Sequence, residues 1–277
     1  MPEVIFFSLI GGIFSLIGGA LLITKESRAR AVAEYATPFA AGALLAAAFL
    51  DLLKEGLAQA DAEVILLWTL GGLLFFFILE SALNWFHHHH EHDEHEVDHV
   101  DPTVSLVITG DIIHNFIDGI AIAAAFLVSV PTGIVTTIAI AAHEIPQEIG
   151  DFGLMLKKGL SRKKVLIVNI LSALATTVAA IIFYSMGQTN SALIPSLLGV
   201  TAGFFIYIAV SDIIPTIHHS TTRKSLNIKS GLLLLGVLVV GVTTTVAHDY
   251  IDHGHDDHQD SHQEESHKHE SDEEHKD

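Results

Sequence analysis

The sequence predicts an all-α membrane protein with eight transmembrane helices in a 3+2+3 arrangement with inverted repeats. Three observations support this fold class. Half of the 277 residues are hydrophobic and only 17% are charged, eight apolar runs follow one another along the chain, and the basic residues collect in alternate connections between these runs. A soluble domain of this length rarely combines so much apolar sequence with so little charge. Cysteine is absent, which excludes disulfides and thiolate metal sites.

Each apolar run is long enough for a membrane helix, which needs about 20 residues to cross the bilayer core. The eight runs cover residues 4–24, 37–57, 63–86, 103–129, 132–156, 164–187, 193–218 and 229–247. We refer to them as spans 1 to 8.

The distribution of Lys and Arg predicts the orientation of the spans. Twelve of these residues lie before the acidic tail, and eleven of them fall in the connections 25–30, 157–164 and 223–229, which eight spans place on one side; only Lys54 disagrees. The positive-inside rule makes that side cytoplasmic. The N- and C-termini are then extracytoplasmic. We expect a multi-pass protein of the plasma membrane rather than of an organelle membrane.

Spans 2 and 7 contain a short internal repeat. In both, an Ala-Gly pair is followed nine residues after the Gly by an Asp, from Gly42 to Asp51 and from Gly203 to Asp212. The two spans run in opposite directions, as expected of the inverted repeats of secondary transporters. The repeat predicts that one triplet-derived bundle shifts against the other during transport.

The repeat also divides the chain into five units. Residues 1–86 form the first three-helix unit, 102–156 the central two-helix unit with the metal site, and 157–247 the last three-helix unit. Residues 87–101 form a His-rich cytoplasmic loop, and residues 248–277 form a disordered, acidic, His-rich extracytoplasmic tail.

The loop and the tail carry most of the net charge of −18. The loop holds six acids and no base, the tail holds twelve acids and two bases, and together they contain fifteen of the nineteen histidines. This acidic balance argues against nucleic-acid binding, and clustered imidazoles and carboxylates chelate zinc without a fixed fold. The candidate loop chelators are His87, His88, His89, His90, His92, His95 and His99.

Span 4 contains the polar sequence DIIHNFIDG. Asp111, His114 and Asp118 have i, i+3, i+7 spacing, which places them on one helical face, with Asn115 beside them. Burying a charged side chain at mid-membrane costs several kcal/mol, so such residues usually face the bundle interior and mark an ion path.

Span 5 contains matching chemistry in the sequence HEIPQEIGD. His143 and Gln147 lie one turn apart with Glu144 beside them, and Pro146 interrupts the backbone hydrogen bonding. Imidazole nitrogens together with carboxylate oxygens suit a borderline divalent cation such as Zn²⁺. The two spans therefore predict a metal site. Taken singly, Asp51, Glu55, Asp111 and Asp212 are equally compatible with plain interhelical hydrogen bonding.

At this point the sequence resembles a known family. HNFIDGIAIAAAF in span 4 and HEIPQEIGDF in span 5 are similar to the signature motifs of the ZIP (Zrt/Irt-like) metal transporters, nearest to the subfamily with HNFxDG and HExPHE. The resemblance implies transport of a divalent metal ion into the cytoplasm, with Zn²⁺ first and Fe²⁺, Mn²⁺ and Cd²⁺ as further substrates. It implies no cofactor and no enzymatic activity, and it is compatible with a homodimer in the lipid bilayer.

The resemblance also implies the ligands. By position, His114, Asp118, His143 and Gln147 form a primary site, and Asn115 and Glu144 form a neighbouring site that Asp118 bridges. Asp51 and Glu55 lie at the outer part of the pathway. As a further hypothesis, independent of the resemblance, the residues that pass the cation along or exchange protons with it are Glu144, Glu148, Asp151 and Asp212.

Three positions depart from the family pattern. Gln147 replaces the second His of HExPHE and offers a neutral oxygen, which weakens zinc binding or broadens selectivity towards iron and manganese. Asp51 stands where the subfamily tends to have His. Thr176 aligns with a carboxylate that some members place in the second site, which argues against a full two-metal centre.

The residues leave three other functions open. HEIPQ resembles the H-E-x-x-H motif of an intramembrane zinc metalloprotease, but that chemistry needs a second His where Gln147 stands. The second alternative is a cation-diffusion exporter, but such exporters usually have six spans and a folded cytoplasmic domain, whereas eight spans are predicted here. A metal sensor that binds without transporting is the third alternative.

Overall fold

The computed structural model describes residues 1–89, 102–218 and 222–270, and every regular element within these ranges is a helix. We number the long helices α1 to α8, one for each predicted span. They are α1 (Pro2–Thr24), α2 (Glu26–Ala46, continued by Ala47–Leu52 and Leu53–Gln59), α3 (Ala62–His89), α4 (Pro102–Val128), α5 (Val130–Lys157), α6 (Arg162–Thr189), α7 (Leu193–Tyr207, continued by Ile208–Ile213 and Ile214–His218) and α8 (Arg223–Glu270).

Seven of the described helices are long and apolar enough to cross a membrane on composition alone. The exception is α5, which is 28 residues long but carries the polar HEIPQEIGD sequence. Apolar side chains cover the outside of the bundle, and Leu67 of α3 and Leu234 of α8 are 66% and 65% exposed, as expected of helices that face lipid. The prediction of an all-α membrane protein is confirmed.

Very short connections separate several helices. Lys25 alone divides α1 from α2, and Ser129 alone divides α4 from α5, where its hydroxyl accepts a hydrogen bond from the backbone N–H of Thr132. The α5–α6 turn contains Gly159 at φ +91°, a backbone conformation that favours glycine. Such tight hairpins force consecutive helices to run antiparallel.

The basic connections meet at one end of the bundle. Arg30 of α2, Lys157 of α5, Arg162 of α6 and Lys229 of α8 line a single cavity of about 950 Å³, which we call the basic cavity. We call this end of the bundle the basic end. Its composition agrees with the predicted placement of three basic connections on one side.

The helices pack as two bundles of four. One bundle contains α1, α4, α5 and α6, and the other contains α2, α3, α7 and α8. The structure therefore differs from the prediction that each triplet of helices forms a bundle, because the helices of residues 1–86 and 157–247 interleave in space. The contacts between helices nevertheless follow an inverted repeat. The strongest helix pairs map onto one another when α1 is exchanged with α6, α2 with α7, α3 with α8 and α4 with α5.

Glycines determine which helices pair. A Cβ atom on Gly42 of α2 would collide with the carbonyl oxygen of Leu233 in α8, and a Cβ atom on Gly203 of α7 would collide with that of Thr69 in α3. Both contacts let two helix backbones approach closely, which drives helix association in membranes. The pairs α2–α8 and α3–α7 thus follow from the small residues rather than from the order of the spans.

The repeat extends to an irregularity of the backbone. A π-helical segment begins five residues after the repeat glycine in both spans, at Ala47 after Gly42 and at Ile208 after Gly203. Each segment contains the Asp of the repeat, Asp51 or Asp212. π-Helical turns are frequent at functional sites, and here they coincide with the residues that the sequence repeat identifies.

The last helix is longer than predicted. Span 8 was expected to end at residue 247, but α8 continues to Glu270, through most of the residues for which the sequence predicts disorder. Extending an existing helix needs no new nucleation, which is the costly step of helix formation.

Candidate metal site

Four ligand-type side chains from α4 and α5 meet inside the bundle that contains α1 and α6. His114 and Asp118 lie one turn apart on α4, and His143 and Glu144 are adjacent on α5. One ligand atom from each of the four residues lies within 4.8 Å of the others. We call this group the four-residue site.

Five distances between ligand atoms of the four-residue site are close to those of a tetrahedral metal centre. His114 Nε2 lies 3.1 Å from His143 Nε2, 3.4 Å from Glu144 Oε1 and 3.8 Å from Asp118 Oδ2. His143 Nε2 lies 3.4 Å from Asp118 Oδ2 and 3.7 Å from Glu144 Oε1. A tetrahedral Zn²⁺ centre with bonds of about 2.0–2.1 Å has ligand atoms about 3.4 Å apart. The four atoms thus surround a position suited to one cation.

The site is buried and its acceptors are unsatisfied. The side chains of Asp118, His143 and Glu144 are at most 3% exposed, while that of His114 is 11% exposed. Asp118 Oδ2 and both carboxylate oxygens of Glu144 lack a hydrogen-bond partner within the described structure. Buried carboxylate oxygens without donors are costly unless a cation compensates them. The donor set, two imidazoles and two carboxylates, fits Zn²⁺ as a substrate.

The backbone of α5 orients one of the ligands. His143 Nδ1 lies 3.3 Å from the carbonyl oxygen of Ala139, one turn earlier. A hydrogen bond from Nδ1 to this carbonyl leaves Nε2 unprotonated and directed into the site. Pro146 follows within the same helix and has no N–H to offer Ala142, so its position loosens α5 beside the ligands.

Asn115 is oriented away from the four-residue site. Its Nδ2 donates to Asp111 Oδ1 at 2.9 Å and to Ser172 Oγ at 3.1 Å, and its Oδ1 accepts from Thr176 Oγ1 at 2.9 Å. The structure therefore differs from the arrangement in which Asn115 and Glu144 share a second site. Glu144 instead groups with the two histidines, because hydrogen bonds to α6 already occupy the Asn115 amide.

Gln147 lines a cavity of about 500 Å³ next to the four-residue site, which we call the inner cavity. His114 and His143 also line this cavity, so Gln147 lies near both imidazoles. Three acidic residues, Glu80, Asp111 and Asp151, complete the polar part of the lining. Asp111 of α4 and Asp151 of α5 lie on the basic-end side of the ligand-type residues along their helices, so the inner cavity leads from the four-residue site towards the basic end.

Glu148 is a buried neighbour of this route. Its side chain on α5 is 1% exposed and accepts a hydrogen bond from Asn169 Nδ2 of α6. Its second oxygen, Oε1, lacks a hydrogen-bond partner within the described residues. Glu148 thus ties α5 to α6 and keeps one free acceptor near the four-residue site.

The remaining predicted residues lie apart from the site or outside the described structure. Asp51 is fully buried in the π-helical segment of α2, and Glu55 follows in the last turns of that helix. Asp212 lies in the equivalent segment of α7, but its side chain is outside the described part. The same applies to the side chains of His87, His88 and His89, and the residues His90, His92, His95 and His99 lie outside the described ranges altogether.

Sequence reasoning named Thr176 of α6 but missed the polar face that Thr176 shares with Asn169 and Ser172. Asn169, Ser172 and Thr176 all hydrogen-bond to residues of α4 or α5, and their i, i+3, i+7 spacing is the signal that could have identified them. It also missed Glu80, which lines the inner cavity and accepts a hydrogen bond of 2.7 Å from the hydroxyl of Tyr207.

Several curated proteins similar to this chain are named as zinc transporters. The chain is 38% identical over 130 residues to the zinc transporter ZIP10 of Danio rerio, an alignment that covers 47% of this chain and 15% of that protein. It is 42% identical over 114 residues to human ZIP10 (41% of this chain, 14% of that protein) and 40% identical over 112 residues to ZIP4 of Mus musculus (40% and 16%). The alignments thus span about one-sixth or less of these relatives.

The sequence model described as "ZIP Zinc transporter" matches residues 3–105 and 87–244 of this chain. These matches cover α2 to α7 completely, all of α1 except Pro2, and most of the membrane part of α8, and they include both motifs of the four-residue site. The chain therefore belongs to the ZIP zinc transporter family.

Proposed function

We propose that this protein is an integral membrane transporter that moves a divalent metal ion, Zn²⁺ in the first place, into the cytoplasm through the four-residue site. The observation that carries the proposal is the near-tetrahedral set of two imidazole nitrogens and two carboxylate oxygens, buried where a charge needs compensation. The names of the similar proteins, which are zinc transporters, support the same substrate.

In this proposal the ligands are His114, Asp118, His143 and Glu144, and the site holds one ion. The hydrogen bonds of Asn115 to Ser172 and Thr176 support a single ion, because they occupy the amide that a second ion would need. Gln147 lies on the inner side and contacts the ion as it leaves. Fe²⁺, Mn²⁺ and Cd²⁺ are further substrates, because carboxylate and amide oxygens also suit them.

The proposed direction follows from charge. The basic end is cytoplasmic by the positive-inside rule, so the termini face outward and the structure represents a state whose site opens inward through the inner cavity. Glu80, Asp111 and Asp151 attract the departing cation along this route. We propose that Asp51 and Glu55 act on the outer part of the pathway. Asp212 is proposed to act at the π-helical segment of α7.

The proposed movement is a shift of one four-helix bundle against the other. The bundle of α1, α4, α5 and α6 carries all four ligands, so it moves the ion as a unit while α2, α3, α7 and α8 remain in place. A homodimer in the plasma membrane would anchor the second bundle. The His-rich loop and tail are proposed to collect and buffer metal on the two sides.

Metal uptake into liposomes tests the proposal. The purified chain is reconstituted and offered Zn²⁺, Fe²⁺, Mn²⁺ and Cd²⁺ separately, with an Asp118→Asn/His143→Ala double variant as the control. Saturable Zn²⁺ uptake that disappears in the double variant supports a transporter that uses this site. Binding without uptake supports the sensor alternative, and hydrolysis of a membrane peptide that depends on Glu144 supports the protease alternative.

A further inference from the structure

The basic cavity has a composition that metal transport does not explain. Four bases line it, namely Arg30, Lys157, Arg162 and Lys229, against a single acid, Glu34, which lies 3.6 Å from Lys229. A dication is repelled by such a surface. The acidic inner cavity, by contrast, attracts a dication, so the two cavities have opposite chemical preferences.

Apart from the four bases, Glu34 and Thr37, the residues that line the basic cavity are apolar. Below the ring of bases its walls include Leu22 of α1, Pro38 of α2 and Ile149, Leu154 and Leu156 of α5. The cavity therefore combines a cationic mouth at the basic end with an apolar wall that extends towards the middle of the membrane. A ligand that fits it has an anionic group at one end and an apolar body at the other.

We propose that the basic cavity binds an anionic phospholipid of the adjacent leaflet, with its phosphate among Arg30, Lys157 and Arg162 and an acyl chain along the α5 wall. Basic pockets between membrane helices on the cytoplasmic side recognise such headgroups. The assignment of the cytoplasmic leaflet rests on the proposed orientation, but binding itself does not.

The basic cavity adjoins the inner cavity at Pro146. This residue lines both the basic cavity and the inner cavity, so the two cavities are adjacent. A lipid phosphate neutralises the ring of bases next to the route of the departing ion and lowers the local positive potential. This effect rests on the proposed transport function, in which we expect faster Zn²⁺ release when the cavity is filled.

Native mass spectrometry of the purified full chain tests the binding without metal or transport. The protein is given equal amounts of phosphatidylglycerol and phosphatidylcholine, and retained lipids are counted. We expect preferential retention of one phosphatidylglycerol, and an Arg30→Gln/Arg162→Gln variant should weaken retention by about tenfold or more, because each base near a phosphate contributes substantially. An excess of inorganic phosphate should not displace the lipid, because it lacks the apolar body.

The matched control is an Arg28→Gln/Lys163→Gln variant, which changes the net charge equally at neighbouring positions on α2 and α6 that do not line the basic cavity. It should retain the lipid as the unmodified chain does. Gly150→Leu is a second test. A Cβ at this cavity-lining glycine meets nothing within 4 Å, so the larger side chain can occupy the lipid space without changing the charge. This variant should therefore retain less lipid.

Two results overturn the proposal. Equal retention of the two lipids by the unmodified chain would show that the cavity does not select an anionic headgroup, and this readout does not require the variants to fold. An equal loss of retained lipid in the Arg30→Gln/Arg162→Gln variant and in the Arg28→Gln/Lys163→Gln control would show that lipid retention depends only on overall charge. If the lipid binds but no metal is transported, the proposed transport function fails while the lipid site stands.

Discussion

The Nε2 atoms of His114 and His143 lie 3.1 Å apart, although 29 residues separate them in the sequence. The two rings come from different helices, α4 and α5, and their nitrogens are within hydrogen-bonding distance. The separation is close to the edge of a tetrahedral zinc centre, about 3.4 Å. This pair therefore provides half of the ligands of the proposed substrate site.

Replacing one ligand should remove most of the affinity of the four-residue site. We expect His143→Ala to weaken Zn²⁺ binding by more than about 100-fold, because even outer-shell changes cost 10–100-fold. Calorimetric titration of a chain whose loop and tail histidines are replaced by Ser measures this. His143→Asn keeps a polar side chain of smaller size, so its Zn²⁺ affinity should lie between those of the unmodified chain and His143→Ala. A His143→Ala affinity equal to that of the unmodified chain would contradict the assignment.

Replacing Gln147 by His should raise selectivity for zinc. The new imidazole lines the inner cavity near both histidines, and nitrogen ligands favour Zn²⁺ over Mn²⁺. We expect the ratio of Zn²⁺ to Mn²⁺ uptake to rise several-fold in liposomes. Gln147→Asn is the control, since it keeps an amide; an unchanged ratio in Gln147→His would show that this position does not contact the ion.

Breaking the hydrogen bond between Thr176 and Asn115 should affect stability but not metal binding. Thr176→Val removes the donor to Asn115 Oδ1, and leaving a buried acceptor unsatisfied costs about 1–3 kcal/mol. Thermal unfolding in detergent should detect the loss, while the stoichiometry of the four-residue site stays at one ion. A loss of bound metal in this variant would instead support a second ion at Asn115.

Adjacent glycines of α3 should respond differently to alanine. A Cβ on Gly72 would collide with the carbonyl oxygen of Val200 in α7, whereas a Cβ on Gly71 meets nothing within 4 Å. We expect Gly72→Ala to destabilise the protein by about 1–3 kcal/mol through overpacking. Gly71→Ala should be neutral or slightly stabilising because alanine favours helix. Equal effects in unfolding measurements would argue against the α3–α7 contact.

Removing residues 250–277 should leave the turnover of transport unchanged and alter only its apparent affinity. These residues follow the eighth predicted span in the sequence, and we propose that their histidines and carboxylates gather metal rather than move it. Below about pH 6, where imidazole is protonated and no longer binds metal, the full-length and shortened chains should behave alike. Initial uptake rates at several Zn²⁺ concentrations measure both effects. A shortened chain that transports nothing would contradict this role.

The sequence was a good guide to the helices and to the two ligand-bearing motifs. Hydrophobic length predicts eight spans, and the structure has a helix at each of them, because a chain in lipid must satisfy its backbone hydrogen bonds internally. The spacing of His114 and Asp118 and the adjacency of His143 and Glu144 also follow from the sequence.

Contacts between helices were much harder to predict. The alignment with HExPHE suggests Asn115 and Glu144 as partners, yet Ser172 and Thr176 hold Asn115 towards α6. Likewise, the order of the spans suggests two triplets, but packing follows glycines such as Gly42 and Gly203. Both outcomes depend on which helix faces approach one another, and a single sequence specifies these contacts only through small residues and polar faces.

Zinc K-edge X-ray absorption on the chain with its loop and tail histidines replaced by Ser tests the central claim most directly. The four-residue site predicts four nitrogen and oxygen ligands at about 2.0–2.1 Å, two of which are imidazoles, and one imidazole should disappear in His143→Ala. A six-coordinate oxygen shell, or an imidazole count that His143→Ala leaves unchanged, would contradict the proposal that these residues bind the transported ion.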